Sequence, residues 1–352
     1  MSLPSSLYHA IEKILDAQNL SGIRQARRVL TQRYHDLAKE KISDASFIPQ
    51  RFQDVSRTKH DVRHSNSLKD EGHMRNDAGR LSYLATRMPA TYEVCLRVLG
   101  ALSDQANRVT SLLDLGAGPG TVVWAAQDLF PNLEQVTLVE KDRGFIHLGA
   151  RLFDETLEKK HMTWLNSSLK DAIPFQPHAL VTLSYVLGEL SIADQEYIVN
   201  AGWEATKEFF VLIEPGTPRG FERIKQARHQ LIQQGAFVVA PCPHEAACPM
   251  VDKDWCHFSQ RLERTSLHRL IKEASLAYED EKYSYIIVSR NPLHDSLSRI
   301  VRKPRHGSGH FILDLCTRDG LKRLIVSRKT GKLYRMARHL EWGDPGPKLD
   351  DA

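Results

Sequence analysis

Two groups of residues have the types and spacing to do chemistry. The first is Asp114-Leu115-Gly116-Ala117-Gly118-Pro119-Gly120. An acid closes an apolar run, and three alternating glycines precede a stretch with helical spacing. Glycines allow the backbone to turn sharply and come close to a ligand. The free N–H groups of a following helix suit a carboxylate or another anion. About twenty residues on, a second apolar run ends at Val139-Glu140, where an acidic side chain can accept hydrogen bonds from both hydroxyls of a ribose. The second group is Pro241-Cys242-Pro243-His244-Glu245-Ala246-Ala247-Cys248-Pro249 with Trp255-Cys256-His257-Phe258, joined from a distance by Cys316. Thiolates in such numbers can bind metal, the alternative being a set of buried free thiols.

The glycine loop separates two cofactor classes. A dinucleotide site reads G-x-G-x-x-G. Here the order is D-x-G-x-G-x-G, which resembles the loop of S-adenosylmethionine enzymes. We therefore expect Asp114, Gly116, Gly118, Gly120 and Glu140 to hold S-adenosylmethionine. Asn166 follows the third apolar run, on the side where adenine would lie. Ser184 follows the fourth, beside the transferable methyl. Tyr185 and Glu189, in the same segment, are candidates to touch substrate, with packing and helix capping as the alternative roles. No Asn/Asp-Pro-Pro-aromatic sequence is present there to position a base amine, and no cysteine to attack a pyrimidine carbon. No catalytic base is assigned.

Three of the chain's five cysteines, Cys242, Cys248 and Cys256, lie within fifteen residues, and Cys316 can complete a tetrahedral site or hold an iron–sulfur cluster. The spacing is neither a pair of C-x-x-C knuckles nor a ferredoxin run, so zinc and iron–sulfur both remain open on these residues. His244 or His257 could replace a thiolate on zinc. Cys95 keeps helical spacing with Val98, Leu99 and Leu102 and reads as a core residue. If Cys316 is the fourth ligand, metal binding pins the C-terminal tail to the rest of the chain.

These residues need elements to hold them. Strands are expected at Ser111–Leu115, Gln135–Val139, Met162–Leu165, Ala179–Ser184, Phe209–Ile213, Ala236–Ala240 and Tyr283–Val288, most of them separated by helical stretches. Such alternation predicts an α/β fold with a largely parallel sheet covered on both faces. Seven strands match a class I methyltransferase (Rossmann-like) core with its last strand antiparallel. We expect a helical N-terminal region over residues 1–105, the cofactor domain over 106–295 with a cysteine-rich insertion at 241–261, and a basic, β-rich appendage over 296–352. In the first region Ile23, Ala26, Leu30, Tyr34 and Leu37 form an apolar stripe, and a helix starts near Met88-Pro89. Residues 51–80 are polar, and His60, His64 and His73 read as exposed side chains. In the appendage, His310–Leu315 and Leu321–Ser327 flank an Asp-Gly turn.

Composition bounds the partners. Net charge is only +5, but between Ser298 and Leu340 twelve Lys or Arg face two acids, Asp314 and Asp319. That is the footprint of a polyanion-binding surface. No apolar run reaches the roughly 20 residues of a membrane span, and the N-terminus lacks a signal pattern. We expect a cytoplasmic protein, monomeric when free, that does not bind membranes.

The chain also resembles a family of methyltransferase-like proteins of mitochondrial small-ribosomal-subunit assembly and their bacterial relatives. The resemblance runs through Tyr83-Leu84-Ala85-Thr86-Arg87-Met88-Pro89-Ala90-Thr91-Tyr92, the loop at 114–120, the cysteine segment 242–261, Ser308-Gly309-His310 to Cys316-Thr317, Tyr334-Arg335-Met336-Ala337-Arg338 and Trp342-Gly343-Asp344. It implies a class I methyltransferase fold, small-subunit ribosomal RNA as partner and a ribosome-associated role in subunit maturation. It also implies a [4Fe-4S] cluster on Cys242, Cys248, Cys256 and Cys316, with zinc as second choice. Three readings follow: an RNA methyltransferase, a non-catalytic RNA-binding scaffold on the same fold, and a small-molecule methyltransferase with no use for the basic tail.

Overall fold

The computed structural model describes residues 3–16, 18–39, 77–154, 161–171, 175–251, 254–293 and 298–347, the side chains of 30–39 excepted. Most of the polar 51–80 stretch, with His60, His64 and His73, lies outside the described residues. So do the side chains of Leu30, Tyr34 and Leu37.

Strands β1 (Ser111–Leu115), β2 (Gln135–Glu140), β3 (His161–Asn166), β4 (His178–Ser184) and β5 (Thr206–Pro215) pair in parallel. Beyond β5 lie β6 (Phe237–Ala240), β7 (Phe258–Glu263) and β8 (Tyr278–Ser289), and β8 runs antiparallel to all of its neighbours. The order β3-β2-β1-β4-β5-β8-β6, with β7 on β8, makes an eight-stranded sheet rather than the expected seven. The added strand, β7, pairs with the polar first half of β8, from Phe258 opposite Tyr283 to Glu263 opposite Tyr278. Its Ser259-Gln260-Arg261 centre hides the apolar period. Cross-strand charge supports it instead: Arg261 binds Asp280 at 2.7 and 2.9 Å and lies over the Tyr278 ring at 4.1 Å.

The parallel strands are apolar on both faces because both faces are covered. Leu112, Val136, Leu138, Phe209 and Val211 pack into one core with α4 (Met88–Leu99), α5 (Thr121–Leu129) and α6 (Arg143–Asp154). The same core takes in the N-terminal helices α1 (Ser5–Asp16), α2 (Leu20–Lys39) and α3 (Asp77–Thr86). Leu113, Leu115, Val181, Phe210 and Leu212 point the other way, onto α7 (Ile192–Glu204) and α8 (Pro218–Gln233). Helix α4 starts at Met88 with Pro89 in its first turn, as the sequence requires, and buries Cys95 completely. A short helix, α9 (Ser266–Lys272), joins β7 to β8.

The tail forms a second, antiparallel sheet. Strands β9 (Ser298–Ile300) and β10 (Arg305–Gly307) both pair with β11 (His310–Thr317), and β12 (Gly320–Ser327) pairs along its other side. The hairpin pairs Thr317 with Gly320, so its two-residue turn is Arg318-Asp319 and Gly320, at φ 111°, is the first strand residue. Helix α10 (Lys332–Ala337) closes a small core of Ile300, Phe311, Leu313, Leu315, Val326, Leu333 and Ala337.

Candidate cofactor and metal centres

The glycine loop leaves β1 between the ends of β2 and β4. Gly116, Gly118 and Gly120 all have positive φ, at 74°, 54° and 81°. At two of them space is also decisive: an added Cβ would meet Val186 Cγ2 at 2.5 Å from Gly116 and Phe153 Cε2 at 2.7 Å from Gly120. At Gly118 a Cβ would meet nothing within 4 Å, so the middle of the loop faces open space. Helix α5 begins directly after Gly120.

Asp114 is buried at the end of β1. Its Oδ1 accepts a 2.7 Å hydrogen bond from the Thr182 hydroxyl, while Oδ2 is buried with no hydrogen-bond partner among the described residues. Burial pushes its carboxyl up to about 7, against the Thr182 bond, and the nearby Glu140 raises it further. A buried carboxylate oxygen without a donor calls for a cation or a donor from outside. The ammonium of S-adenosylmethionine is one, and the start of α5 suits the carboxylate of the same methionine end. Glu140 is held ready by backbone: Gly118 N–H donates to Oε2 at 2.9 Å and Asp142 N–H to Oε1 at 2.8 Å.

The other sequence candidates divide. Asn166 bridges its neighbours, accepting from Arg143 Nε at 2.9 Å and donating to the carbonyls of Glu140 and Lys141 at 3.1 and 3.0 Å. It therefore fixes the β2 and β3 ends. Ser184 ends β4 with its hydroxyl buried close to the Cys95 thiol. Tyr185 holds a left-handed backbone at φ 60°, uncommon for a residue with a side chain. Its hydroxyl is buried among Glu281, Arg87, Cys95 and Tyr283. Glu189 is exposed and lies 3.8 Å from Lys141, across the mouth between the β2 and β4 ends. One site residue escaped the sequence reading. Glu214, 1% exposed near the end of β5, accepts from Leu187 N–H at 3.0 Å and Arg223 Nη1 at 3.1 Å, and burial pushes it up to about 7. The signal was available: Ile213-Glu214 closes an apolar strand with an acid just as Val139-Glu140 does.

Cys242, Cys248, Cys256 and Cys316 line a single cavity, with Phe221, Met250, Phe258 and Val301 in its walls. Cys316 reaches it from β11, so the cavity lies between the large sheet and the tail sheet. Burial raises the thiols of Cys242, Cys256 and Cys316, the last to about 12, and the thiols raise one another. Among the described residues no three His, Cys, Asp or Glu side chains stand close enough for one metal ion. His244 Nε2 lies 3.6 Å from Cys316 Sγ. His257 is engaged elsewhere, stacked on Trp255 at 5.1 Å and edge-on to Trp342 at 4.9 Å. Cys95 is separate from this group.

The tail's charge is unevenly spent. Arg302 pairs with Asp254, Lys322 with Asp319, and Arg305 and Arg323 share Asp314. Arg318, Arg328, Lys329, Lys332, Arg335 and Arg338 are exposed, and no carboxylate pairs with them among the described residues. No described helix is long and apolar enough to cross a membrane.

A parallel sheet ordered 3-2-1-4-5 with an antiparallel strand wedged before the sixth, and a glycine loop after the first strand, defines a class I methyltransferase fold. Within that class, the profile described as "Mitochondrial small ribosomal subunit Rsm22" matches residues 78–347, and the chain belongs to that family. The chain is 28% identical over 294 residues to the human ribosome assembly protein METTL17, mitochondrial, covering 76% of this chain and 62% of that protein. It is 28% identical over 336 residues to the Rsm22-cox11 tandem protein 2, mitochondrial, of Schizosaccharomyces pombe, covering 80% and 45%. The chain thus spans about half to two thirds of these curated relatives. Among solved structures, magnesium protoporphyrin IX methyltransferase of Synechocystis PCC 6803 with bound SAM aligns at a TM-score of 0.38 and 11% identity, over 57% of this chain and 79% of that one. Both curated relatives carry "mitochondrial" in their names, which lends no support to the cytoplasmic location expected from the sequence.

Proposed function

We propose that this protein is a small-ribosomal-subunit assembly factor that binds S-adenosylmethionine in its central sheet, holds a [4Fe-4S] cluster on Cys242, Cys248, Cys256 and Cys316, and contacts ribosomal RNA through its basic tail. The observation that carries this is the family match itself, which spans the glycine loop, all four cysteines and the unpaired tail cations in one continuous stretch. The curated relatives it resembles are named for ribosome assembly and for Rsm22. The family match and the same relatives support ribosome association, in whichever compartment the subunit matures.

The donor chemistry suits the groups proposed. Asp114 Oδ2 and the start of α5 offer opposite charges to the two ends of an amino acid. Four thiols around one cavity suit either a multi-iron cluster or one zinc, and the family resemblance favours the cluster. S-adenosylmethionine, when bound, supplies an electrophilic methyl group. The chain's own residues bind and orient it: Glu140 for the ribose, Asn166 for the shape of the adenine side, and Ser184, at the end of β4, for the methyl side.

Between enzyme and scaffold, the segment after β4 favours the scaffold. It carries no acceptor-positioning motif, and the Tyr185 hydroxyl turns inward, away from any substrate approaching from solvent. The test is transfer of labelled methyl from S-adenosylmethionine to small-subunit RNA, alongside a Gly118→Arg variant. We expect cofactor binding by the wild type only and no labelled RNA from either. Label dependent on an intact Gly118 would establish the enzyme. Anaerobic purification should give a brown protein with iron and sulfide near four each per chain. A colourless protein holding one zinc would overturn the cluster.

A further inference from the structure

Arg228 and Arg299 are buried, 6% and 7% exposed, and both line the cavity of the four cysteines. Among the described residues neither is paired with a carboxylate. Carbonyl oxygens hold them instead. Arg228, from α8, donates Nη2 to the carbonyls of His244 and Ala246 at 2.6 and 2.8 Å. Arg299, from β9, donates Nε to the Pro241 carbonyl at 2.8 Å and Nη1 to the Gly343 carbonyl at 3.1 Å. Carbonyls satisfy donors without cancelling charge. Two cations facing an apolar cavity are strongly disfavoured unless an anion joins them. Among the described residues Arg228 Nε is buried with no hydrogen-bond partner to oxygen or nitrogen, and its guanidinium lies against Cys242.

The wall groups that become anionic on binding a metal are the four thiols. Four thiolates around a core of roughly two positive charges leave a net charge of about −2, which two guanidiniums cancel. We propose that Arg228 and Arg299 are the counter-charges of a thiolate-bound metal centre and make docking of the basic tail conditional on that centre. The inference rests on the metal reading above and adds to it a reason why the tail responds. Arg299 ties β9 to both the cysteine loop and the end of the tail. With the centre in place, both cations have a partner. Without it, two like charges share an apolar cavity exactly at the seam between the sheets, and repulsion opens the seam.

The test uses the full chain with Arg228→Gln and Arg299→Gln together. Glutamine keeps an amide donor for the carbonyls and removes both charges. A matched pair with lysine at both positions keeps the charge. Metal release to a chelator is followed by absorbance, and tail docking by hydrogen exchange over residues 298–346. The glutamine pair should release its metal about tenfold faster than wild type, yet keep its tail protected once the metal is gone. The lysine pair should stay near wild type in both. If the glutamine pair holds metal like wild type and its tail opens on release just as far, the counter-charge role is wrong. A wild type purified anaerobically without any metal would overturn the underlying metal reading, whatever the variants do. Should the glutamine pair not fold, Arg228→Gln alone, which spares the β9 contacts, is read by the same criteria.

Discussion

At the scale of residues, the proposed cofactor site is built from groups that are uncomfortable without a ligand. Asp114 is raised from 3.8 to about 7 by burial. A carboxyl raised in the folded state takes up protons there that the unfolded chain releases. Its contribution to stability is full below about pH 4 and is lost as pH rises through about 7. Asp114→Asn should therefore flatten the fall in Tm of the cofactor-free protein between pH 5 and 8, while weakening S-adenosylmethionine binding. Thermal scans across pH check the first effect and calorimetric titration the second. Glu214, raised to a similar value, tilts the same pH curve in the same direction, so some slope should remain in the variant.

The glycines give a sharper comparison. Gly116→Ala and Gly118→Ala both place a side chain at positive φ, which is worth about 1–2 kcal/mol each. Only Gly116 also drives its Cβ into Val186, at 2.5 Å. Gly116→Ala should lower Tm clearly more than Gly118→Ala. Equal shifts would mean that Val186 moves aside without strain.

At the scale of elements, two arginines fasten the N-terminal helices to the sheet. Arg80 of α3 grips Asp142 at 2.9 and 3.1 Å, just past Glu140. Arg87, between α3 and α4, grips Glu281 of β8 at 2.8 and 3.0 Å. Arg87→Met leaves a part-buried carboxylate behind and should destabilise by about 2–3 kcal/mol. Adding Glu281→Gln should recover part of that loss in denaturant titrations. A double variant as weak as the sum of the two singles would show that the pair is not coupled.

The elements of the sheet were readable in the sequence wherever burial wrote a pattern. Leu112, Leu113 and Leu115 are apolar because both faces of β1 are covered, and the glycine loop follows at once. Strand β7 was not readable, because cross-strand pairs such as Arg261 with Asp280 support it and leave no apolar period. The four cysteines could be grouped by chemistry, but their meeting in one cavity depends on how the tail sheet docks, a long-range contact that local spacing does not encode. Asn166 matched its expected place yet is occupied in bracing strand ends. Glu214 was overlooked because it lies just past Ile213, where the fifth strand was expected to end, and no acid was sought there.

At the scale of the molecule, a slightly acidic body carries a strongly basic appendage across a thiol-lined seam. Electrostatic binding to RNA should show this directly. Replacing Arg328, Lys329 and Lys332 by Gln should lower the slope of log affinity against log salt by about 0.7–0.9 for each contact removed. An unchanged slope would place the RNA surface elsewhere on the protein.

The claim that joins these scales is that the metal seam presents the tail to the ribosome. Co-sedimentation of the anaerobically purified chain with small ribosomal subunits, wild type beside Cys316→Ser, tests it most directly. The account predicts that wild type travels with the subunit, while the Cys316→Ser protein, folded in its central sheet, stays in the supernatant. A Cys316→Ser protein that lacks metal and still sediments with the subunit as fully as wild type would contradict it.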